Sequence, residues 1–294
     1  MKLGIGLPTW TGNLIDPQAL LGWATRAEDA GFHAVAVHDK PNHDTYDPLA
    51  MLAAVAAITS RVRLFTAAVL LPPRDEALTA KQALVIDRLS GGRMELGVAV
   101  GGRADDYELL GRPMAGRGRR FAGQLERMVA LFDAAVEHAQ DGKAMGPAPV
   151  QRPRPRLLVG GYQPAAIARA ARFGDGFVFG APPASMMADR IPAIRAAAAE
   201  AGKPDFPVTA LAYTLPDLGA GARETGEALL LRYYGALARP WDDLVVQGDA
   251  ASLRQGVARY ADAGVDVLHL VPVTTDPRAI DVLAEALLAA YPSS

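Results

Sequence analysis

The sequence predicts a closed barrel of eight parallel β-strands, each followed by a helix: a (β/α)8 TIM-type barrel of the α/β class, formed as a single domain over residues 1–294. Three observations predict it. Eight apolar, strand-like runs alternate with helical stretches along the whole chain, with no second composition zone. The runs are almost continuously apolar, as strands covered on both faces are. The stretch Asp87–Gly102, DRLSGGRMELGVAVGG, carries the plan in miniature: helix end, glycine turn, buried strand, glycine pair where the strand stops. An open, doubly wound sheet is the alternative reading of the same alternation.

The elements follow in order. Lys2–Leu7 is the first strand. Asp16-Pro17 is a cap and first-turn pair, and opens a helix that stops at Gly31. His33–Val37 is the second strand, with a helix from Pro48 to Ser60 behind it. Val62–Leu71 is the third strand, Glu76–Leu89 the third helix and Met94–Val100 the fourth strand. Gly101–Gly118 reads as a long loop, and Arg119–His138 as an amphipathic helix with Phe121, Leu125, Met128, Leu131 and Phe132 on one stripe. A Pro/Gly/Arg linker leads to Arg156–Val159, the fifth strand. Pro164–Phe173 is a helix stopped by Gly174, Gly176–Phe179 the sixth strand, and Ala184–Ala201 a helix stopped by Gly202. Val208–Tyr213 and Val265–Val271 are the last strands, with a helix ending at Ala263-Gly264 before the eighth and one over 276–291 after it. Two rim insertions result, Gly101–Gly118 after strand four and Asp217–Val246 after strand seven, both beginning where barrel active sites lie.

Composition narrows the function classes. Half of the residues are hydrophobic, enough for a large core, and the formal net charge is -2. Arg152, Arg154 and Arg156 cluster, but prolines interleave them, which argues against nucleic acid as a partner. Without cysteine there is no disulfide, no thiolate nucleophile and no Cys-ligated zinc, and no His/Asp/Glu spacing resembles a metal site. The start, MKLGIGLPTW, is already a strand rather than a signal peptide, and no run is long enough to span a membrane, so a cytoplasmic location is expected.

Candidate functional residues cluster at predicted strand ends. Gly101-Gly102 allows a backbone to approach a ligand; the plainer reading is a hinge. Gly160-Gly161-Tyr162 precedes a helix with Pro164 near its start, a place where free N–H groups bind anions; a plain turn is the alternative. Asp39 closes strand two in a polar cluster, VHDK. His38 and His43 beside it can transfer a proton near neutral pH, or be ordinary loop histidines. Lys40 is the one lysine at a predicted C-terminal strand end, the feature an aldolase-type barrel without redox chemistry would need. Trp10 and Tyr213 wall a substrate pocket or pack at the rim. His269 packs within the barrel.

Six segments in order resemble one family. They are KLGIGLP, AEDAGFHAVAVHD, ITSRVRLFTAAVLLPPR, DRLSGGRMELGVAVGGR, LLVGGYQPAAIARAARFGDGFVFG and ARYADAGVDVLHLVPV. Together they resemble the luciferase-like superfamily of flavin- and F420-dependent oxidoreductases and monooxygenases, and the resemblance runs over nearly the whole chain. The resemblance implies FMN or F420 at the barrel mouth and two-electron chemistry or monooxygenation on a small organic substrate, with a separate reductase supplying reduced cofactor in some members and a homodimer as the common assembly. It places the cofactor phosphate at Val159, Gly160, Gly161 and Tyr162 and the ribityl chain at Val100, Gly101 and Gly102. The ring lies on Ala67, Ala68 and Val69, with a non-proline cis peptide at Ala68–Val69, and Asp39 contacts the cofactor. His38, Lys40 and His43 are the catalytic candidates. One branch of the family has a catalytic histidine directly after the matching aspartate; Lys40 stands there, which argues against a sugar-phosphate substrate. Arg117, Arg119 and Arg120 could receive an anionic tail or simply open a helix. A catalytically silent cofactor-binding member is a third reading.

Overall fold

The computed structural model describes residues 1–140, 145–235 and 240–292. Its strands are β1 (Lys2–Gly6), β2 (Ala34–Val37), β3 (Arg63–Thr66), β4 (Val69–Leu70), β5 (Met94–Ala99), β6 (Arg156–Gly160), β7 (Gly176–Val178), β8 (Val208–Pro216), β9 (Val245–Gly248) and β10 (Val267–Pro272). All pair in parallel in the order β10-β1-β2-β3-β5-β6-β7-β8, and β8 pairs again with β10. That last pairing closes the ring and excludes the open sheet. β4 continues β3 along β5, so the described barrel has eight staves. β9 lies on the edge of β8 that β7 leaves free, because β7 stops after three residues: Val178 pairs Thr209, then Val245 pairs Tyr213.

The helices are α1 (Pro17–Ala30), α2 (Pro48–Ile58), α3 (Glu76–Leu89), α4 (Ala104–Leu109), α5 (Arg117–Glu137) and α6 (Pro164–Phe173). They continue with α7 (Ala184–Ala188), α8 (Ile191–Glu200), α9 (Ala222–Tyr234), α10 (Trp241–Leu244), α11 (Ala250–Asp262) and α12 (Arg278–Leu287). The caps read in the sequence form as expected. The Asp16 carboxylate accepts the N–H groups of Gln18 and Ala19 at 2.9 and 3.1 Å, Pro17 takes the first turn, and Gly31 ends α1 at φ 96°. Asp47 and Pro48 repeat the arrangement at α2.

Two apolar layers result from the strand alternation. The outer one, between strands and helices, includes Leu3, Ile5, Val35, Leu64, Leu96 and Leu268. The inner one, inside the ring, includes Ala36, Phe65, Leu158, Val178, Leu211 and Val271. His269 sits in this inner layer, fully buried and stacked on Phe65 with ring centroids 4.7 Å apart. Gly4, its register partner on β1, makes the space: a Cβ there would lie 2.3 Å from His269 Nδ1.

Several expectations are corrected. Gly101–Gly118 is not all loop, because Ala104–Leu109 forms α4 and α5 begins at Arg117. The single helix expected over Ala184–Ala201 is two, broken at Asp189-Arg190, with Pro192 in the first turn of the second. Val62–Leu71 is interrupted: Ala67 N–H still bonds Val37 O, the ladder resumes at Val69 opposite Val98, and the cis peptide falls at Ala67–Ala68, one residue before the expected Ala68–Val69. Asp217–Val246 holds α9, α10 and the start of β9, while its residues 236–239 lie outside the described ones.

The strands' N-terminal end is fastened by buried ions. Glu28, at the end of α1, accepts the N–H groups of Ser60, Arg61 and Val62 at 2.6–3.0 Å. Burial pushes its carboxyl up, but the N–H groups of Val62, Arg61 and Ser60 outweigh this and hold it below the ordinary glutamate value. A lowered carboxyl contributes stability above its unfolded pKa, and the contribution is lost as pH falls through the folded value. Glu28→Gln is therefore expected to cost about 2 kcal/mol at pH 6, with the gap to wild type shrinking when urea unfolding is repeated near pH 3. An undiminished gap at acid pH would show that the ionised carboxylate is not the source of the difference.

Candidate active site

At the strands' C-terminal ends the mouth opens into two joined lobes. The outer one, about 410 Å³, is floored by Ala67, Ala68 and Ala99 and edged by Val100, Gly101 and Gly102. Arg117 from α5 and Gly161, Tyr162 and Gln163 ahead of α6 close its far end. The inner one, about 230 Å³, is walled by His38, Lys40, Leu211, Tyr213, Tyr233 and Tyr234. Asp39, Ala67, Leu70, Gly101, Gly102, Tyr162 and Gly180 line both.

Glycine is required where backbones crowd behind the outer lobe. At Gly160 a Cβ would lie 2.7 Å from Val178 O, and at Gly161, φ 151°, 2.8 Å from the Ala166 Cβ. Gly180 admits the Tyr162 hydroxyl, which would lie 2.4 Å from a Cβ there. The N-terminal turn of α6 begins with Pro164, and Gln163 at its cap makes no side-chain capping bond. Among the described residues the Arg117 guanidinium has no carboxylate partner. Its neighbour Arg120 instead donates to Pro72 O and Pro113 O.

Asp39 lines both lobes and is held by hydrogen bonds of its own. Its carboxylate accepts Leu70 N–H at 2.8 Å and both Nε and Nη2 of Arg74, at 3.2 and 2.8 Å, and Arg74 also reaches Asp47 at 3.0 Å. Burial pushes the Asp39 carboxyl up, with Arg74 and the Leu70 N–H pulling against it. Asp39 lines the cleft, but its oxygens are already engaged in joining β2 to the segment after β3.

The inner lobe is aromatic, with Asp39, Lys40, Arg103 and Asp106 also in its lining. The His38 ring lies parallel to Tyr213 at 6.5 Å, its Nδ1 buried with no hydrogen-bond partner, and burial lowers its pKa to about 4. Lys40 donates to Tyr233 O, and its ammonium lies 4.1 Å from the Tyr233 ring centroid. Burial first, then Arg103, lowers the Lys40 pKa to about 8, against the opposing pull of Asp106 and Asp105. The Tyr213 and Tyr234 hydroxyls are 2.8 Å apart. Burial pushes the phenols of Tyr213 and Tyr233 up.

Of the residues singled out in the sequence, His38, Asp39, Lys40, Ala67, Ala68, Val100, Gly101, Gly102, Gly161, Tyr162 and Tyr213 line this cleft. Val69 and Val159 do not; both are fully buried in the layer behind the strands. Gly160 stands behind the outer lobe as close-packed backbone. His43 meets Tyr233 edge-on at 5.3 Å, outside either lobe. Trp10 is buried behind the inner lobe, edge-on to Tyr213 and Tyr233 at 6.1 and 5.7 Å. Tyr233 and Tyr234 went unnoticed in the sequence. The one available signal was an aromatic pair, RYYG, at the end of an insertion helix.

Comparison with known proteins places this geometry. A family profile described as luciferase-like monooxygenase matches residues 1–266. An uncharacterized Mycobacterium tuberculosis protein, Rv0940c, is 38% identical over 170 residues, covering 56% of this chain and 57% of that protein. The match thus spans little more than half the length of this curated relative. The crystal structure of monooxygenase RslO1 from Streptomyces bottropensis superposes with a TM-score of 0.81 at 25% identity, covering 99% of this chain and all of the other. An F420-dependent secondary alcohol dehydrogenase, solved with an F420-acetone adduct, has the same fold, with a TM-score of 0.79 at 19% identity over 98% of each chain.

Proposed function

Because this chain belongs to the luciferase-like monooxygenase family, we propose that it is an oxidoreductase that holds FMN or F420 in the outer lobe and a small organic substrate in the inner one. The observation that carries this reading is the pair of lobes sharing seven lining residues, one bordered by Arg117 and the turn ahead of α6, the other by aromatic rings.

The outer lobe fits a flat ring with a phosphate tail. Alanines at its floor leave room for a ring, and the Gly160-Gly161 backbone lets a tail approach the N-terminus of α6. Arg117 would meet the phosphate with a fork of N–H donors. When bound, such a group supplies reversible two-electron transfer, and FMN also oxygen activation.

The chain's own residues do the rest. Tyr162 and Gly180 set the boundary between ring and substrate. Tyr213, Tyr233 and Tyr234 keep water out of the inner lobe. Lys40, with its pKa near 8, can hold or release a proton near neutral pH, and His38 stays neutral there. The Asp39–Arg74–Asp47 bridge fixes the wall that carries both.

The test is a side-by-side titration of the purified chain with FMN and with F420, each oxidised and reduced, followed by cofactor fluorescence. Micromolar binding of one assigns the cofactor. Failure of both to bind at millimolar protein would overturn the reading.

A further inference from the structure

Resting on that reading, one residue outside both lobes acts on the end of the outer lobe that would receive the cofactor's phosphate. The turn Gly161-Tyr162-Gln163 is a thin wall between two spaces. The outer lobe lies on one side and a separate recess of about 360 Å³ on the other, and all three residues line both. The recess is mostly apolar, with Ile167, Phe177, Phe179 and Ile194 in its lining. Arg190 is the one cation among the described residues of that lining, and it does not line the outer lobe. From the recess side its guanidinium donates to Tyr162 O.

That contact sets the direction of the next N–H. The Tyr162 carbonyl and the Gln163 N–H belong to one planar trans unit, in which they point opposite ways. With the carbonyl drawn toward Arg190, the Gln163 N–H is turned to the other side, that of the outer lobe. Among the described residues it donates to no group of the chain. The flanking backbone fixes the course of the turn. Gly161 opens it at φ 151°, and Gln163 is extended at φ -93° and ψ 153°, as a residue before proline is. The tilt of the peptide between Tyr162 and Gln163 is then left to what its carbonyl meets.

Arg190 is itself held in place. It stands at the break between α7 and α8, where its N–H bonds Met187 O at 2.9 Å and its carbonyl accepts the Ile194 N–H at 3.1 Å. The break that divides one expected helix into two thus sets this side chain against the turn.

We propose that Arg190 is a positioning residue of the cofactor site: by holding Tyr162 O from behind, it aims the Gln163 N–H at the cofactor's phosphate.

The experiment compares wild type with Arg190→Met on two matched pairs of probes, FMN with riboflavin and F420 with its phosphate-free deazaflavin parent. Fluorescence titration of the full chain gives each affinity. Arg190→Met is expected to bind the phosphate-bearing member about five- to tenfold more weakly, the effect of one lost hydrogen bond. The phosphate-free member should stay within about twofold of wild type, with thermal melting unchanged. Arg190→Lys keeps the charge and a donor and should fall between. The loss in Arg190→Met should persist in about 1 M sodium chloride, where a charge is screened beyond about 3 Å. Equal weakening of both members of a pair, wild-type affinity in the variant, or a loss that salt abolishes would overturn the assignment. If neither cofactor binds, inorganic phosphate followed by phosphorus NMR decides. A variant that holds phosphate about fivefold more weakly leaves Arg190 in its role while the redox reading falls. Equal phosphate binding by the two proteins, or none by either, then overturns both.

Discussion

Arg93→Met is expected to lower the unfolding free energy by about 3–5 kcal/mol, a large fraction of what a folded domain has in hand. Arg93 is buried just before β5, and its guanidinium makes five hydrogen bonds at 2.7–3.2 Å. Their acceptors are Ser90 O at the end of α3, Val62 O ahead of β3, and Ala56 O, Thr59 O and Thr59 Oγ1 at the end of α2. Two of these, Ala56 O and Thr59 O, belong to a helix C-terminus, whose free carbonyls favour a cation. Methionine fills much of the space but strands all five acceptors away from water, and an unmade buried hydrogen bond costs more than a made one gains. Arg93→Lys supplies three donors and should recover about half of the loss. Urea unfolding checks this as a lowered midpoint at unchanged slope. A loss under 1 kcal/mol for the methionine variant would mean that water reaches those carbonyls.

That example shows where the sequence was legible. DRLSGGR was readable as helix end and turn, because Gly91 and Gly92 punctuate it and both have positive φ. What its polar residues do was not. Asp87, fully buried, accepts Val150 N–H at 2.7 Å and Gln151 Nε2 at 2.7 Å, partners more than 60 residues away. Apolar periodicity carries local information, so most strands and capped helices were placed within a residue or two, whereas β8 runs three residues past the expected Tyr213, α12 ends four before the expected Tyr291, and β9 was not read as a strand. Long-range polar partners leave no period.

The same division applies at the site. Gly101, Gly102 and Gly161, read at strand ends, line the outer lobe, since a backbone position without Cβ is a local property. Val69 and Val159 lie in the layer behind the strands, and Val69 does so between two cleft residues, Ala68 and Leu70, because successive strand residues alternate their faces. Asp39 was found by position, but its engagement by Arg74 depends on a residue 35 positions later. Tyr233 and Tyr234 reach the cleft only because α9 folds back over the mouth. There Arg232 meets Asp44 at 2.7 Å and Lys40 meets Tyr233 O, and no local pattern predicts that docking.

Arg117→Glu is expected to weaken cofactor binding by about 100-fold or more while leaving the fold intact. Arg117 opens α5 at the outer lobe, facing the turn ahead of α6 across the cleft. A guanidinium fork on a phosphate makes two charge-assisted hydrogen bonds, each worth about 1.5–3 kcal/mol, and about 1.4 kcal/mol is a factor of ten. Reversal removes the fork and adds repulsion in the same place. Because no ion pair of Arg117 is broken among the described residues, stability should change by less than about 0.5 kcal/mol. Three controls isolate the effect. Arg119→Glu changes the same helix by the same charge away from the lobe and should stay within about threefold of wild type. Arg117→Lys keeps a point charge without the fork and should fall between. Raising ionic strength should weaken wild type more than Arg117→Glu, since the reversed variant has no attraction left to screen. If Arg117→Glu and Arg119→Glu lose cofactor affinity equally, the tail is held by the general field of α5 rather than by this residue, and the anion-receiving end of the outer lobe must be sought at the α6 backbone alone.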